Sequence, residues 1–75
     1  IIPNRDSAIY YYKQTIRAAP VYAPAYNNIG VIYQGEAMQL AQRAPQLAQR
    51  RLELASYYYN RSMEVNPAYQ DGKDN

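Results

Sequence analysis

AIYYYKQTIRAAP (residues 8–20) and ASYYYNRSMEVNP (residues 55–67) carry the same run of three tyrosines within a chain of 75 residues. Laid over each other without a gap, they set Ala8 on Ala55, residues 10–12 on 57–59, Thr15 on Ser62, Ile16 on Met63 and Pro20 on Pro67. Tyr22 falls on Tyr69 just beyond, and every pair is 47 positions apart. A register kept over so many positions, with conservative exchanges where identity fails, marks an internal repeat. Repeats of this length build arrays in which each unit buries its apolar face against the next.

Working outward from the first copy, Asn4 suits an N-cap. Asp6 adds a negative charge in the first turn, where the helix dipole favours it. A helix is predicted from there to about Ala19, stopped by Pro20. Ala8, Tyr12, Thr15 and Ile16 share one of its faces at i, i+4, i+7 and i+8. A second helix is predicted from VYAPAYNNIGVIYQ (residues 21–34), because Pro24 lacks the N–H that a first turn leaves unpaired in any case. Tyr26, Ile29, Gly30 and Tyr33 mark its inner face. Gly30 costs a helix interior roughly 1 kcal/mol relative to alanine. Close approach of another helix is the usual compensation, and Ala55 is the natural small partner.

Tyr26, Ile29, Gly30 and Tyr33, followed by Ala55, Tyr59, Ser62 and Pro67, resemble the tetratricopeptide repeat. That family places an aromatic, a Leu-Gly pair and a Tyr on a first helix, then Ala, an aromatic, a small residue and Pro on a second. Ala8, Tyr12, Thr15 and Pro20 match the second helix of a preceding unit. Ile29 stands where Leu is usual, and Thr15 and Ser62 where Ala is usual. The resemblance implies an all-α fold of helical hairpins stacked in a right-handed superhelix. Residues 1–22 would supply the second helix of one repeat, 23–69 a complete repeat and 70–75 the start of another or a tail. Armadillo and HEAT repeats have a period near 47, but they do not account for the Ile-Gly-x-x-Tyr and Ala-x-x-x-Tyr signatures.

The spacing of 47 exceeds the family period of 34 by 13 residues. The spacings within 26–33 and 55–67 are ordinary, so the excess lies within 34–54. That stretch, QGEAMQLAQRAPQLAQRRLEL, is rich in helix formers with one proline near its middle. Ala37, Leu40, Ala41 and Ala44 continue the inner face of the first helix, and Leu47, Ala48 and Leu52 lead back to Ala55. Both helices are therefore expected to run on by nearly two turns and to reverse near Ala44 and Pro45. Arg43, Arg50 and Arg51 would make the tip basic, either as a solvated end or as a partner contact.

In tetratricopeptide arrays the first helix of each unit lines the concave surface. By that resemblance Pro24, Asn27, Asn28, Val31, Gln34 and Gly35 look into a groove, with Asn27, Asn28, Val31 and Gln34 as expected peptide contacts. An amide offers a donor and an acceptor, so Asn28 can pair with an extended backbone without reading its side chains. APAYNNIGVIY (residues 23–33) is also similar to the repeats of nucleocytoplasmic O-glycosyltransferases of the SPINDLY and O-GlcNAc transferase type, whose inner asparagines hold substrate polypeptides. Asn28 occupies the matching position. This implies an intracellular, cytoplasmic or nuclear setting.

Composition narrows the remaining classes. The chain has no Cys and no His, which removes disulfides, the usual zinc sites and the commonest acid–base pairs. Glu36, Glu53 and Glu64 are scattered, and no glycine loop suits a phosphate, so neither catalysis, a metal nor a cofactor is expected. A net charge of +2 gives little reason to expect nucleic acid, and no apolar run is long enough for a membrane span. Neighbouring repeats, a second copy, or a protein or peptide are the partners expected. The opening IIPNRD has neither an initiator Met nor a signal pattern, which reads as the interior of a longer polypeptide. A chain this short buries little surface, and repeat arrays need about three units, so support from adjoining repeats or from copies is expected.

Overall fold

A computed structural model describes residues 5–66, which form three helices and no strands: α1 (Arg5–Ala18), α2 (Ala23–Leu40) and α3 (Pro45–Val65). The fold is all-α. The expected cap at Asn4, and everything from Pro67 onward, lie outside the described residues.

Two short turns reverse the chain. Pro20 sits second in the turn 19–22, where its fixed φ is favoured, and the Tyr22 N–H closes that turn on the Ala19 carbonyl at 3.0 Å. The Tyr26 hydroxyl then donates to the Pro20 carbonyl at 2.9 Å, tying the second helix to the turn that precedes it. At the far end α2 stops at Leu40 and α3 begins at Pro45. Ala44, kept out of the helical region by the proline that follows it (φ −145°, ψ 68°), is the hinge. Neither helix start has a side-chain cap. Proline in the first turn removes one unpaired donor from each instead.

α2 lies between the other two helices, packing closely along α3 and more lightly on α1. Its buried residues, Ala23, Ala25, Tyr26, Asn27, Ile29, Gly30 and Ala37, accordingly wrap much of its circumference. Ile29 is the largest side chain wholly removed from solvent, at 0% exposure. The α2–α3 seam is built from small residues. A Cβ placed on Gly30 would lie 2.9 Å from two ring carbons of Tyr59 and 3.2 Å from the Ala55 carbonyl oxygen. Gly30 is thus a point of close approach, and its neighbours are Ala55 and the aromatic one turn on. Farther along, Ala37 and Ala48 are both buried.

The leucines expected to continue this seam do not enter it fully. Leu40 is half-buried, while Leu47 and Leu52 are exposed. Helices held at glycine–alanine distance leave no room for a layer of branched side chains between them, so the alanines fill the seam and the leucines flank it. Arg51 was expected at the free tip. It instead crosses the seam, its Nε donating to Glu36 Oε1 at 2.9 Å, with both side chains substantially covered. Glu36, one of the scattered carboxylates, is that arginine's partner.

The two tyrosine motifs turn different faces toward α2. In α3, Ala55 and Ser62 are buried at 3% each. Their counterparts in α1, Ala8 and Thr15, are only half-buried. α1 buries Ile9 instead, whereas the corresponding Ser56 of α3 is exposed. Adjacent positions are about 100° apart around a helix, so one motif carries two contact faces and α2 meets one from each copy.

Serine and threonine at the small positions satisfy their hydroxyls locally. Ser62 Oγ donates to the Tyr59 carbonyl at 2.7 Å and Thr15 Oγ1 to the Tyr11 carbonyl at 3.1 Å. Ser62→Ala should therefore change stability by no more than about 0.5 kcal/mol, since the lost hydrogen bond and the lost desolvation nearly cancel. A urea-unfolding midpoint moved by several times that amount would show that the hydroxyl has another role.

Candidate functional site

Two surfaces concentrate chemistry, and they lie on different sides of the molecule. The first is the face of α2 turned away from its neighbours. Pro24, Asn28, Val31, Gly35 and Met38 recur there at intervals of four and three residues, the spacing of one helix stripe. Val31 is 49% exposed and Met38 74% exposed, and Asn28 is half-exposed between Pro24 and Val31. An open apolar stripe with an amide in it can take an extended chain, with apolar contact along its length and paired hydrogen bonds at one position.

The residues expected to contact a peptide do not all share that face. Asn28 and Val31 do. Asn27 is 5% exposed: it falls at the edge of the buried arc, one residue from Tyr26 and three from Gly30, and is largely covered. Gln34 is exposed, but its Oε1 accepts the Tyr59 hydroxyl at 2.7 Å. It therefore fixes the tyrosine that packs on Gly30. Met38 extends the stripe beyond the expected contacts, on a face of α2 away from the apolar residues that continue its inner side. Its spacing of seven from Val31 was the available signal.

At the tip, Arg43 in the turn and Arg50 on α3 are exposed, whereas Arg51 is committed to Glu36. The hollows beside Arg50 are lined by α3 with the adjoining Ala44, so no second helix encloses them.

The tyrosine triplets divide by position. Tyr12 and Tyr59 are half-buried, and Tyr59 is the ring against Gly30. Tyr58 stacks on Tyr33 of α2 at a centroid distance of 5.9 Å. Equivalent neighbours in the two copies make the same edge-to-face contact: Tyr10 with Tyr11 at 5.6 Å, and Tyr57 with Tyr58 at 5.0 Å. Tyr10, Tyr11 and Tyr57 remain exposed.

The second surface is the cleft between α1 and α3, floored by Tyr26. Tyr10, Tyr57 and Tyr58 line it together with Lys13, Ile16, Arg17 and Arg61, around a space of 480 Å³. The Arg61 guanidinium lies 5.6 Å from the centre of the Tyr26 ring, within cation–π range. It also donates to Glu64 at 2.6 Å, and this hydrogen bond raises its pKa above the ordinary arginine value. Among the described residues no cluster of acidic side chains is suited to a metal ion, and no helix is long and apolar enough to cross a membrane.

With the fold and both surfaces defined, the class the structure establishes is an all-α chain built around a helical hairpin. In comparisons with known proteins the chain matches no family model, no curated protein and no solved structure.

Proposed function

We propose that the chain is a section of a tetratricopeptide-like array, comprising one enlarged hairpin and the second helix of the unit before it, and that it serves as a non-catalytic scaffold for an extended peptide. The array reading is supported by the two tyrosine motifs meeting opposite sides of α2 through different faces. Each motif helix then has one face for the first helix of its own unit and one for that of the unit after it. Ala8, Tyr12 and Thr15, half-buried here, form the face that α3 uses against Gly30.

The observation that carries the binding role is the exposed stripe Asn28, Val31 and Met38 on the hairpin's first helix. Asn28→Ala should weaken capture of peptides selected against this chain from a random display library by about three- to tenfold, the worth of one or two hydrogen bonds. Thermal unfolding should stay unchanged. Equal affinity in the variant would remove Asn28 from the site.

The position of Asn28 also fits a substrate-recruiting arm of an intracellular O-glycosyltransferase, which would use the same stripe. A sugar-nucleotide transferase domain in the same polypeptide would support that narrower role, and its absence there would end it. A second reading, self-association through the hairpin tip, is favoured by the exposure of Met38, Leu47, Leu52 and Leu54. Sedimentation of a variant shortened by the 13 extra residues tests it, because an unchanged assembly state would rule it out.

A further inference from the structure

We propose that the α1–α3 cleft is a second binding site, separate from the α2 stripe, and that it takes an acidic protein segment carrying an aromatic side chain. The lining divides into two chemistries. Tyr10, Tyr57, Tyr58 and Tyr26 present ring surface, and Lys13, Arg17 and Arg61 bring three positive charges, with no carboxylate in the lining itself. Glu64 is held by Arg61, which leaves Lys13 and Arg17 as the cations of α1 that face the cleft without an acidic residue among its lining groups.

The dimensions suit one side chain with its flanking backbone. A space of 480 Å³ lies within the range of small-ligand pockets. Tyr10 and Tyr57 stand on opposite walls and are both exposed, so an inserted ring can meet aromatic surface on either side. Carboxylates flanking that ring would fall within reach of the basic rim, where charge complementarity sets orientation and on-rate.

A nucleic acid would find the same rings and charges but too short a track. Its affinity grows with the number of phosphates neutralised, and three cations, one of them already paired, on a chain with a net charge of only +2, offer few phosphate contacts. The occupant is therefore a short acidic peptide segment. The site arises from the repeat itself, because the two walls are the equivalent tyrosine motifs and the distance between them is set by α2.

The test is fluorescence anisotropy on the full chain with a labelled Glu-Asp-Glu-Phe-Asp-Glu peptide, with folding of each variant checked by circular dichroism. The peptide should bind saturably and less tightly as salt is raised. Joint Lys13→Gln and Arg17→Gln substitution should weaken it about tenfold. The charge-matched pair Gln39→Glu and Gln42→Glu, on the exposed surface near the hairpin turn, should have less than about a threefold effect. Replacing the peptide's Phe by Ala should also abolish saturable binding. Four results would overturn the proposal: no saturable binding, equal losses in the two charge-matched variants, undiminished binding of the peptide that carries Ala in place of Phe, or a short single-stranded oligonucleotide binding more tightly than the peptide.

Discussion

Gly30→Ala is expected to destabilise the chain by about 1–2 kcal/mol, although the same exchange in an open helix gains about 1 kcal/mol. The new methyl would stand 2.9 Å from the Tyr59 ring and 3.2 Å from the Ala55 carbonyl oxygen. Real side chains do not sit at the first distance, and the second involves backbone, which yields only if α2 and α3 move apart. The ring is also poorly placed to retreat, because its hydroxyl is bonded to Gln34 on the same helix as the glycine. Overpacking of this kind costs about 1–3 kcal/mol, and a clash that involves backbone belongs in the upper part of that range, which leaves about 1–2 kcal/mol after the propensity gain. Gly35 is the internal control. A Cβ there meets nothing within 4 Å, so Gly35→Ala should stabilise by about 0.5–1 kcal/mol. Urea unfolding of the two variants should therefore shift the midpoint in opposite directions. Stabilisation by both would mean that the seam is looser than the distances indicate.

Ile29→Ala should have a larger effect. Ile29 is wholly buried on the middle helix, and removing a buried isoleucine costs about 2–5 kcal/mol through lost transfer energy and the cavity left behind. A chain of 75 residues has a total stability of roughly 4–11 kcal/mol by the usual per-residue range. This one belongs near the lower end, because its core is mostly alanine, with Ile9, Tyr26 and Ile29 as the larger buried side chains. The variant should lose at least about 10 °C in thermal midpoint, or show no cooperative transition at all. A midpoint within a few degrees of the parent would show that Ile29 does not organise the core.

What could be seen in the sequence follows from how local each determinant is. Pro20, Pro24 and Pro45 act through their own backbone geometry, and the helix limits near them were accordingly readable. The closeness at Gly30 was also legible, because a glycine in the middle of a helix requires a compensating contact and the repeat register supplied Ala55. Side-chain destinations were less so. Leu47 and Leu52 follow the apolar period but lie outside the seam, since glycine and alanine at Gly30, Ala37, Ala48 and Ala55 set a spacing that excludes them. Arg51 belongs to a basic run in sequence, yet its partner Glu36 is fifteen positions away on the facing helix, a pairing that depends on the hairpin register. For the candidate sites, the placing of Asn28 and Val31 on an open face was expected from the resemblance to the repeat family, and both are at least half-exposed. The burial of Asn27 and the engagement of Gln34 depend on how wide the buried arc of α2 is, and that width reflects a helix covered on two sides. The basic tyrosine cleft was hidden for the same reason: its walls are 47 positions apart and meet only across α2.

The central claim is that residues 23–69 are one period of an array whose units dock through the two faces of the tyrosine helix. Appending a second copy of residues 23–69 directly after Tyr69 tests it most directly. If the claim is correct, the added first helix docks on the outer face of α3 as α2 docks on α1. Unfolding then remains a single transition with a higher midpoint and a denaturant dependence that grows with the added surface. Two independent transitions, or one at the parent's midpoint, would contradict it.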